Sequence, residues 1–149
     1  MTQINEARAK DIPQLAALLS LLFTQEADFQ PDQSKQEKGL RLLIESPNVG
    51  VVFAAREGEQ IAGMVSLLFT ISTAQGGPVC WLEDMVIRPE LRGGGLGSHL
   101  LQHAIDYARS HGFTRITLLT DQLNRRAIQF YEKHAFQQSE MKALRLHLS

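Results

Sequence analysis

A chain of 149 residues is long enough for one domain with a full core and too short for two ordinary ones. Its 44% hydrophobic and 21% charged residues are a soluble globular balance, and a formal net charge of -1 without a basic run argues against a nucleic-acid partner. The lone Cys80 excludes an internal disulfide, no apolar run approaches membrane-spanning length, and the opening residues Met1 to Asn5 lack the basic and apolar regions of a signal peptide, so a cytoplasmic protein is expected.

Alternating elements follow, without repeat or linker. Ile4 to Ala9 is a short strand candidate. Asp11-Ile12-Pro13-Gln14 reads as a helix start, with Asp as N-cap, Pro in the first turn and Gln at the capping-box position. Leu15, Leu18, Leu19 and Leu22 form the buried stripe of that helix. A polar interval from Thr24 to Gln33 leads to a second helix, which carries Leu40, Leu43 and Ile44 and stops near Pro47. Val49 to Ala55 and Ile61 to Ser72 flank Glu57-Gly58-Glu59 and read as a hairpin. The strand Val79 to Ile87 places Cys80 in an apolar pattern, as a buried and inert thiol. Leu96, Leu100, Leu101, Ala104, Ile105 and Ala108 recur at helical spacing up to a stop at Gly112. Arg115 to Thr120 is the next strand, Asn124 begins a last helix, and Phe136 to Leu148 is expected to supply one or two closing strands. Hairpin strands followed by strands interleaved with helices predict an α/β domain on a mixed sheet.

The junction between the Val79 to Ile87 strand and the helix after it is Arg92-Gly93-Gly94-Gly95-Leu96-Gly97-Ser98. Glycines let a turn take positive φ and bring backbone N–H groups against an anion, while the helix start adds unpaired amides and its positive dipole end. A Walker loop requires a Lys-Ser/Thr pair that is absent here, and a dinucleotide fingerprint requires a sixth-position glycine where Ser98 or Leu100 stands. Arg92-x-x-Gly95-x-Gly97, preceded by Val86-Ile87-Arg88-Pro89, resembles the acetyl-CoA signature of the GNAT superfamily of N-acetyltransferases. The element order matches that family nearly end to end. The resemblance implies one GNAT domain over residues 1–149, with a mixed, mostly antiparallel central sheet flanked by helices. It also implies acetyl-CoA as cosubstrate, held by Met85, Val86, Ile87, Arg92, Gly93, Gly94, Gly95, Leu96, Gly97 and Ser98, and a homodimer.

In the last helix, Asn124, Ala127, Ile128 and Tyr131 share one face. This is similar to the family's Asn-x-x-Ala-x-x-x-Tyr pattern, in which the asparagine contacts CoA and the tyrosine lies near the thioester sulfur. Asn124 equally suits an ordinary N-cap. The family's glycine after this helix is replaced by Ala135, within His134-Ala135-Phe136, which puts the helix cap in question.

Leu82-Glu83-Asp84 brings two adjacent carboxylates into the strand before the glycine loop. Regular alternation sends them to opposite faces, and the strand bulge typical of the family relaxes that constraint. Leu-Glu-Asp followed by the glycine loop resembles the diamine and polyamine acetyltransferases, whose acidic residues face a cationic acceptor. An amine of pKa near about 10 arrives protonated and attacks a thioester only when neutral. Glu83, directly or through a water, is the proton acceptor in this reading, with Asp84 as the alternative base and otherwise a substrate contact. A backbone N–H of Met85 to Ile87 steadies the oxyanion, and Tyr131 returns a proton to the CoA thiolate. Glu26, Asp28 and Asp32 form an acidic loop where the family often borders its acceptor pocket.

His99 and His103 have metal-capable spacing, but Gln102 stands where a metalloprotease helix has glutamate and no third ligand is evident, so they are assigned to a solvated face and no metal is expected. The reading is therefore an acetyl-CoA-dependent N-acetyltransferase acting on a primary amine. A polyamine-like small molecule, an amino acid derivative, an aminoglycoside-like compound and a protein amine all remain open as acceptor. A non-catalytic acyl-CoA sensor is the alternative of a different class.

Overall fold

The computed structural model describes residues 2–26 and 28–149; Met1 and Ala27, the latter inside the polar interval between the first two helices, lie outside the described residues. The chain divides into two compact units, one reaching to Leu118 and one from Leu119 to Ser149.

The first unit is built on a five-stranded sheet of order β1-β2-β3-β4-β5. Its strands are β1 (Thr2–Glu6), β2 (Gly50–Glu57), β3 (Gln60–Ser72), β4 (Gly77–Ile87) and β5 (Ile116–Leu118). The first four pair antiparallel and β5 joins β4 in parallel, which is the mixed sheet the sequence predicts. Helices α1 (Ile12–Gln25), α2 (Gln33–Ile44) and α3 (Leu96–Ser110) complete the unit. Strand alternation divides the apolar side chains between two layers. Val52, Ala54, Met64 and Val86 join Ile12, Leu15, Leu18 and Leu19 of α1 and Leu40 of α2 in one core cluster. Phe53 turns the other way and meets the rings of His103 and Tyr107 on α3. Burial on both faces explains why β2 and β3 read as nearly continuous apolar runs.

Several expectations are corrected. β1 begins at Thr2 and ends at Glu6, where Ile4 to Ala9 was expected, because its register with β2 runs from Thr2 opposite Glu57 to Glu6 opposite Phe53. Asp11 occupies the N-cap position of α1 but its carboxylate does not cap the helix. It accepts from the Arg8 amide at 2.8 Å and from Arg56 Nη1 and Nη2 at 2.8 and 2.6 Å. Gln14 likewise leaves the capping box to pin the β2–β3 turn, its Oε1 accepting from the Ile61 amide at 2.8 Å and its Nε2 donating to the Glu59 carbonyl at 3.0 Å. His99 is exposed, as expected, whereas His103 is not solvated and packs edge-on to Phe53 at 4.7 Å. A helix facing a sheet buries a stripe wide enough to include the row His103 and Tyr107 as well as the leucines.

Asp11 is only 4% exposed, so its pairing with Arg56 is an internal one. The Arg56 guanidinium beside it, and the hydrogen bond from the Arg8 amide, hold its carboxyl below the usual carboxylate value of 3.8 against the cost of burial. Asp11→Ala is expected to lower stability by about 3 kcal/mol at pH 7, because Arg56 then stays half-buried without its partner. A carboxylate whose pKa is depressed by folding stabilises the native state above its unfolded pKa and loses that contribution as pH falls through its folded value. Urea melts of wild type and variant should therefore differ fully at neutral pH and converge in acid below the carboxylate range; equal midpoints at pH 7 would remove the pair from the account of stability.

The second unit contains α4 (Arg125–Lys133) and an irregular tail. Asn124 caps α4 by accepting from the Ala127 amide at 3.1 Å. At its far end Ala135 takes φ 73, the left-handed position a glycine normally fills, while the Phe136 amide reaches the Tyr131 carbonyl at 3.1 Å. The closing strands expected over Phe136 to Leu148 do not form. Leu144, Leu146 and Leu148 keep a period-two pattern yet are 95%, 82% and 90% exposed. Alternation makes a segment capable of pairing, but a strand exists only where a second strand supplies its hydrogen bonds.

Among the described residues, no helix is long and apolar enough to cross a membrane.

Candidate active site

Pairing between β4 and β5 covers only Cys80, Trp81 and Leu82 opposite Ile116, Thr117 and Leu118. Beyond Leu82, β4 continues to Ile87 with β3 as its neighbour on one side. The Arg88 amide donates to the Ala62 carbonyl of β3 at 2.8 Å. Alternation of an antiparallel ladder then turns Val86 toward β3 and the backbone groups of Met85 and Ile87 toward the side β5 has left. The Ile87 carbonyl there accepts from Arg92 Nε at 3.1 Å, which ties the glycine turn to the end of the strand.

The turn after it is shaped by Gly93 and Gly95, both at φ 87, and Gly95 is the left-handed N-cap of α3 without a side-chain cap. A side chain with a Cβ is strained at such φ angles. A Cβ on Gly93, Gly94 or Gly95 would meet no protein atom within 4 Å, so space above the turn is open. Amides of the first α3 turn without a side-chain cap, beside glycines with open space above them, are groups able to receive an anion. Leu96, Gly97 and Ser98 make up that first turn and are partly buried, while Arg92 is exposed.

The adjacent carboxylates sit at a bulge. Ser66 lies opposite Asp84 and Leu67 opposite Leu82, which leaves Glu83 as the extra residue of β4. The bulge cancels one step of alternation, so Asp84 faces the same layer as Ser66, Met64 and Val86 while Glu83 remains exposed. Asp84 is partly buried, and its amide donates to Ser66 Oγ at 3.2 Å while Ser66 Oγ donates to Asp84 Oδ2 at 3.4 Å. Burial first, then the charges of Glu83 and Glu26, push the Asp84 carboxyl up to about 7, with the Ser66 hydrogen bond acting in the opposite direction. Glu26 follows α1 directly as its C-cap, so one member of the predicted acidic loop is electrostatically joined to the bulge. Asp28 is exposed on the turn and is not among the charges acting on Asp84. Asp32 is not a loop carboxylate at all, because it caps α2 by accepting from the Lys35 amide at 3.2 Å and from Ser34 Oγ at 2.9 Å.

Ser66 was missed from sequence. It is a 1% exposed hydroxyl within the apolar run Ile61 to Leu68, and a buried polar side chain in such a run must find a partner. Cys80 is buried as expected, and burial pushes its thiol up to about 11, far from a reactive thiolate. Among the described residues no group of three or more His, Cys, Asp or Glu side chains is arranged to hold a metal ion.

Within the second unit, Tyr131 is partly buried, its ring 5.3 Å from Phe130 and 5.5 Å from Phe136 between centroids. Asn124 and Ala127 meet in the cap hydrogen bond already described.

Residues 14–136 match the Acetyltransferase (GNAT) family. The chain is 30% identical over 138 residues to the uncharacterized N-acetyltransferase YhfO of Bacillus subtilis, spanning 91% of this chain and 89% of that one. It is 29% identical over 140 residues to the aminoalkylphosphonate N-acetyltransferase of Salmonella typhimurium, spanning 94% and 88%. Its fold is similar to the crystal structure of a predicted acetyltransferase with acetyl-CoA from Clostridium acetobutylicum, with TM-score 0.81, 22% identity and coverage of 99% of this chain and 97% of that one.

Proposed function

Because the chain belongs to the acetyltransferase (GNAT) family, we propose that it transfers the acetyl group of acetyl-CoA to a primary amine by direct attack in a ternary complex, with a small cationic amine as acceptor. The observation that carries this reading is the bulge of β4, which gathers Glu83, Asp84 and the influence of Glu26 immediately before the strand segment that leads into the glycine turn.

In this reading the first turn of α3, with Arg92, Gly93, Gly94, Gly95, Leu96, Gly97 and Ser98, takes the pyrophosphate of CoA, and the backbone of Met85, Val86 and Ile87 runs beside its acyl arm. The outward N–H groups of Met85 and Ile87 are the donors for the oxyanion. Glu26, Asp28 and Asp84 attract the ammonium group of the acceptor. An ammonium gains from a carboxylate but is also held protonated by it, so its proton must pass to water before attack, and one carboxylate of the bulge then accepts the second N–H proton as the neutral nitrogen forms the C–N bond. Glu83, directly or through a water, and Asp84 are the two candidates. As the C–N bond forms, the C–S bond breaks and sulfur leaves with the electron pair, taking a proton from the Tyr131 hydroxyl. Asn124 and Ala127 are assigned to CoA from the family pattern. No covalent enzyme intermediate is needed, and the raised thiol of Cys80 supports its exclusion as a nucleophile.

The test is a panel of amines scored for CoA release. Diamines and polyamines are expected to exceed neutral amines in kcat/KM by roughly tenfold or more at low salt, with the advantage shrinking as ions screen the carboxylates. The panel includes an aminoalkylphosphonate, since one relative is named for that acceptor. Preference for the phosphonate would overturn the cationic acceptor and leave acetyl transfer standing; binding of acetyl-CoA without turnover of any amine would favour the sensor instead.

A further inference from the structure

We propose that Ser66 is a positioning residue of the acceptor site, holding the Asp84 carboxylate across the β3–β4 pair so that Asp84, rather than Glu83, takes the proton from the incoming amine. The inference deepens the acetyl-transfer reading and rests on it.

The geometry separates the two carboxylates. Glu83 is the extra residue of the bulge and its side chain is exposed, with no hydrogen bond or ion pair fixing its direction among the described residues. Asp84 is in register with Ser66 and partly buried, and it is bound twice to one hydroxyl, through its amide at 3.2 Å and its Oδ2 at 3.4 Å. Ser66 is itself buried at 1% exposure in the middle of a strand paired on both sides, so its hydroxyl is anchored on rigid backbone. A proton acceptor works best with a fixed direction and a pKa near the working pH. Burial pushes the Asp84 carboxyl up to about 7, into that range.

The charges acting on Asp84 are Glu83 on its own strand and Glu26 at the end of α1; from β3 it meets the Ser66 hydroxyl. All the charges oppose ionisation, and the Ser66 hydrogen bond favours it. In the reaction the acceptor first sheds its ammonium proton to water; the neutral nitrogen then forms the C–N bond to the thioester carbon while a second N–H proton passes to the ionised Asp84, the C–S bond breaks, and the sulfur leaves with the electron pair and takes the proton proposed above to come from Tyr131. Asp84 returns its proton to solvent before the next turnover.

These signs give a test in the dependence of kcat/KM on pH, paired with a carbon-detected NMR titration of the Asp84 carboxyl. Wild type is expected to gain rate with pH through about 7, in step with the Asp84 titration. Ser66→Ala removes the bond that favours the ionised form, so both the rate limb and the titration should move up by roughly 0.5 to 1 pH unit, with most of the lost rate regained at pH 9. Ser66→Thr keeps a hydroxyl and should hold both midpoints near wild type. Glu83→Gln removes a like charge, so the limb should persist and move to lower pH. A limb abolished by Glu83→Gln while Asp84 still titrates would make Glu83 the acceptor and overturn the proposal. Midpoints unmoved by Ser66→Ala in an active enzyme would overturn the positioning role alone. Absence of turnover with any amine would overturn the acceptor role together with the acetyl-transfer reading. Retained thermal stabilisation by acetyl-CoA identifies variants that are folded.

Discussion

Gly95→Asp is expected to abolish the rise in melting temperature that acetyl-CoA confers on the wild type. A ligand bound at a hundredfold excess over its Kd stabilises the native state by about 2.7 kcal/mol, which for a chain of 149 residues corresponds to roughly 5–10 °C. Gly95 stands at φ 87 as the N-cap of α3, at the point where the first-turn amides converge. Aspartate there adds a negative charge where the proposed site takes a pyrophosphate and brings its carboxylate within reach of the same amides, so it should compete with the ligand as well as repel it. The added Cβ meets no protein atom within 4 Å, so the cost to the unliganded fold is confined to the left-handed backbone, about 1 kcal/mol. Differential scanning fluorimetry with and without acetyl-CoA reads both quantities. A variant stabilised by acetyl-CoA as strongly as wild type would remove the glycine turn from cofactor binding.

Tyr131→Phe is expected to reduce kcat about 10²-fold, the range for loss of a general acid, while acetyl-CoA still binds. The substitution keeps the ring, and with it the packing against Phe130 at 5.3 Å and Phe136 at 5.5 Å, so α4 should stay folded. The effect belongs in kcat because, in the proposed mechanism, the proton reaches sulfur only as the C–S bond breaks. Turnover unchanged on an amine that wild type uses well would assign Tyr131 to packing.

Much of this protein was legible without coordinates because the signals are local. The leucine spacing of α1 and α3, the Glu57-Gly58-Glu59 hairpin and the glycine run each specify a conformation within a few residues. Gly93 and Gly95 adopt positive φ, and Asn124 caps α4 through an amide three residues away. The carboxylate pair within β4 was also visible as a pair, though its orientation was not.

What the sequence alone could not resolve are the features decided by partners distant in the chain. Asp11 and Gln14 look like capping residues, and each side chain is instead taken by a group 45 or 47 residues away, because a bidentate guanidinium or an otherwise unpaired buried amide competes better than a helix end. The bulge at Glu83 arises from register between β3 and β4, which no window of β4 contains, and it turns Asp84 onto Ser66 18 residues away. The tail around Leu144 to Leu148 fails as a strand for the same reason in reverse, since its alternation is intact but a ladder partner is not present. By itself the sequence determined the helices, the hairpin and the glycine turn, whose conformations are set within a few residues. Only the tertiary structure decided where the buried charges pair and which carboxylate is held, because those bonds depend on strand register and on desolvation that distant segments supply.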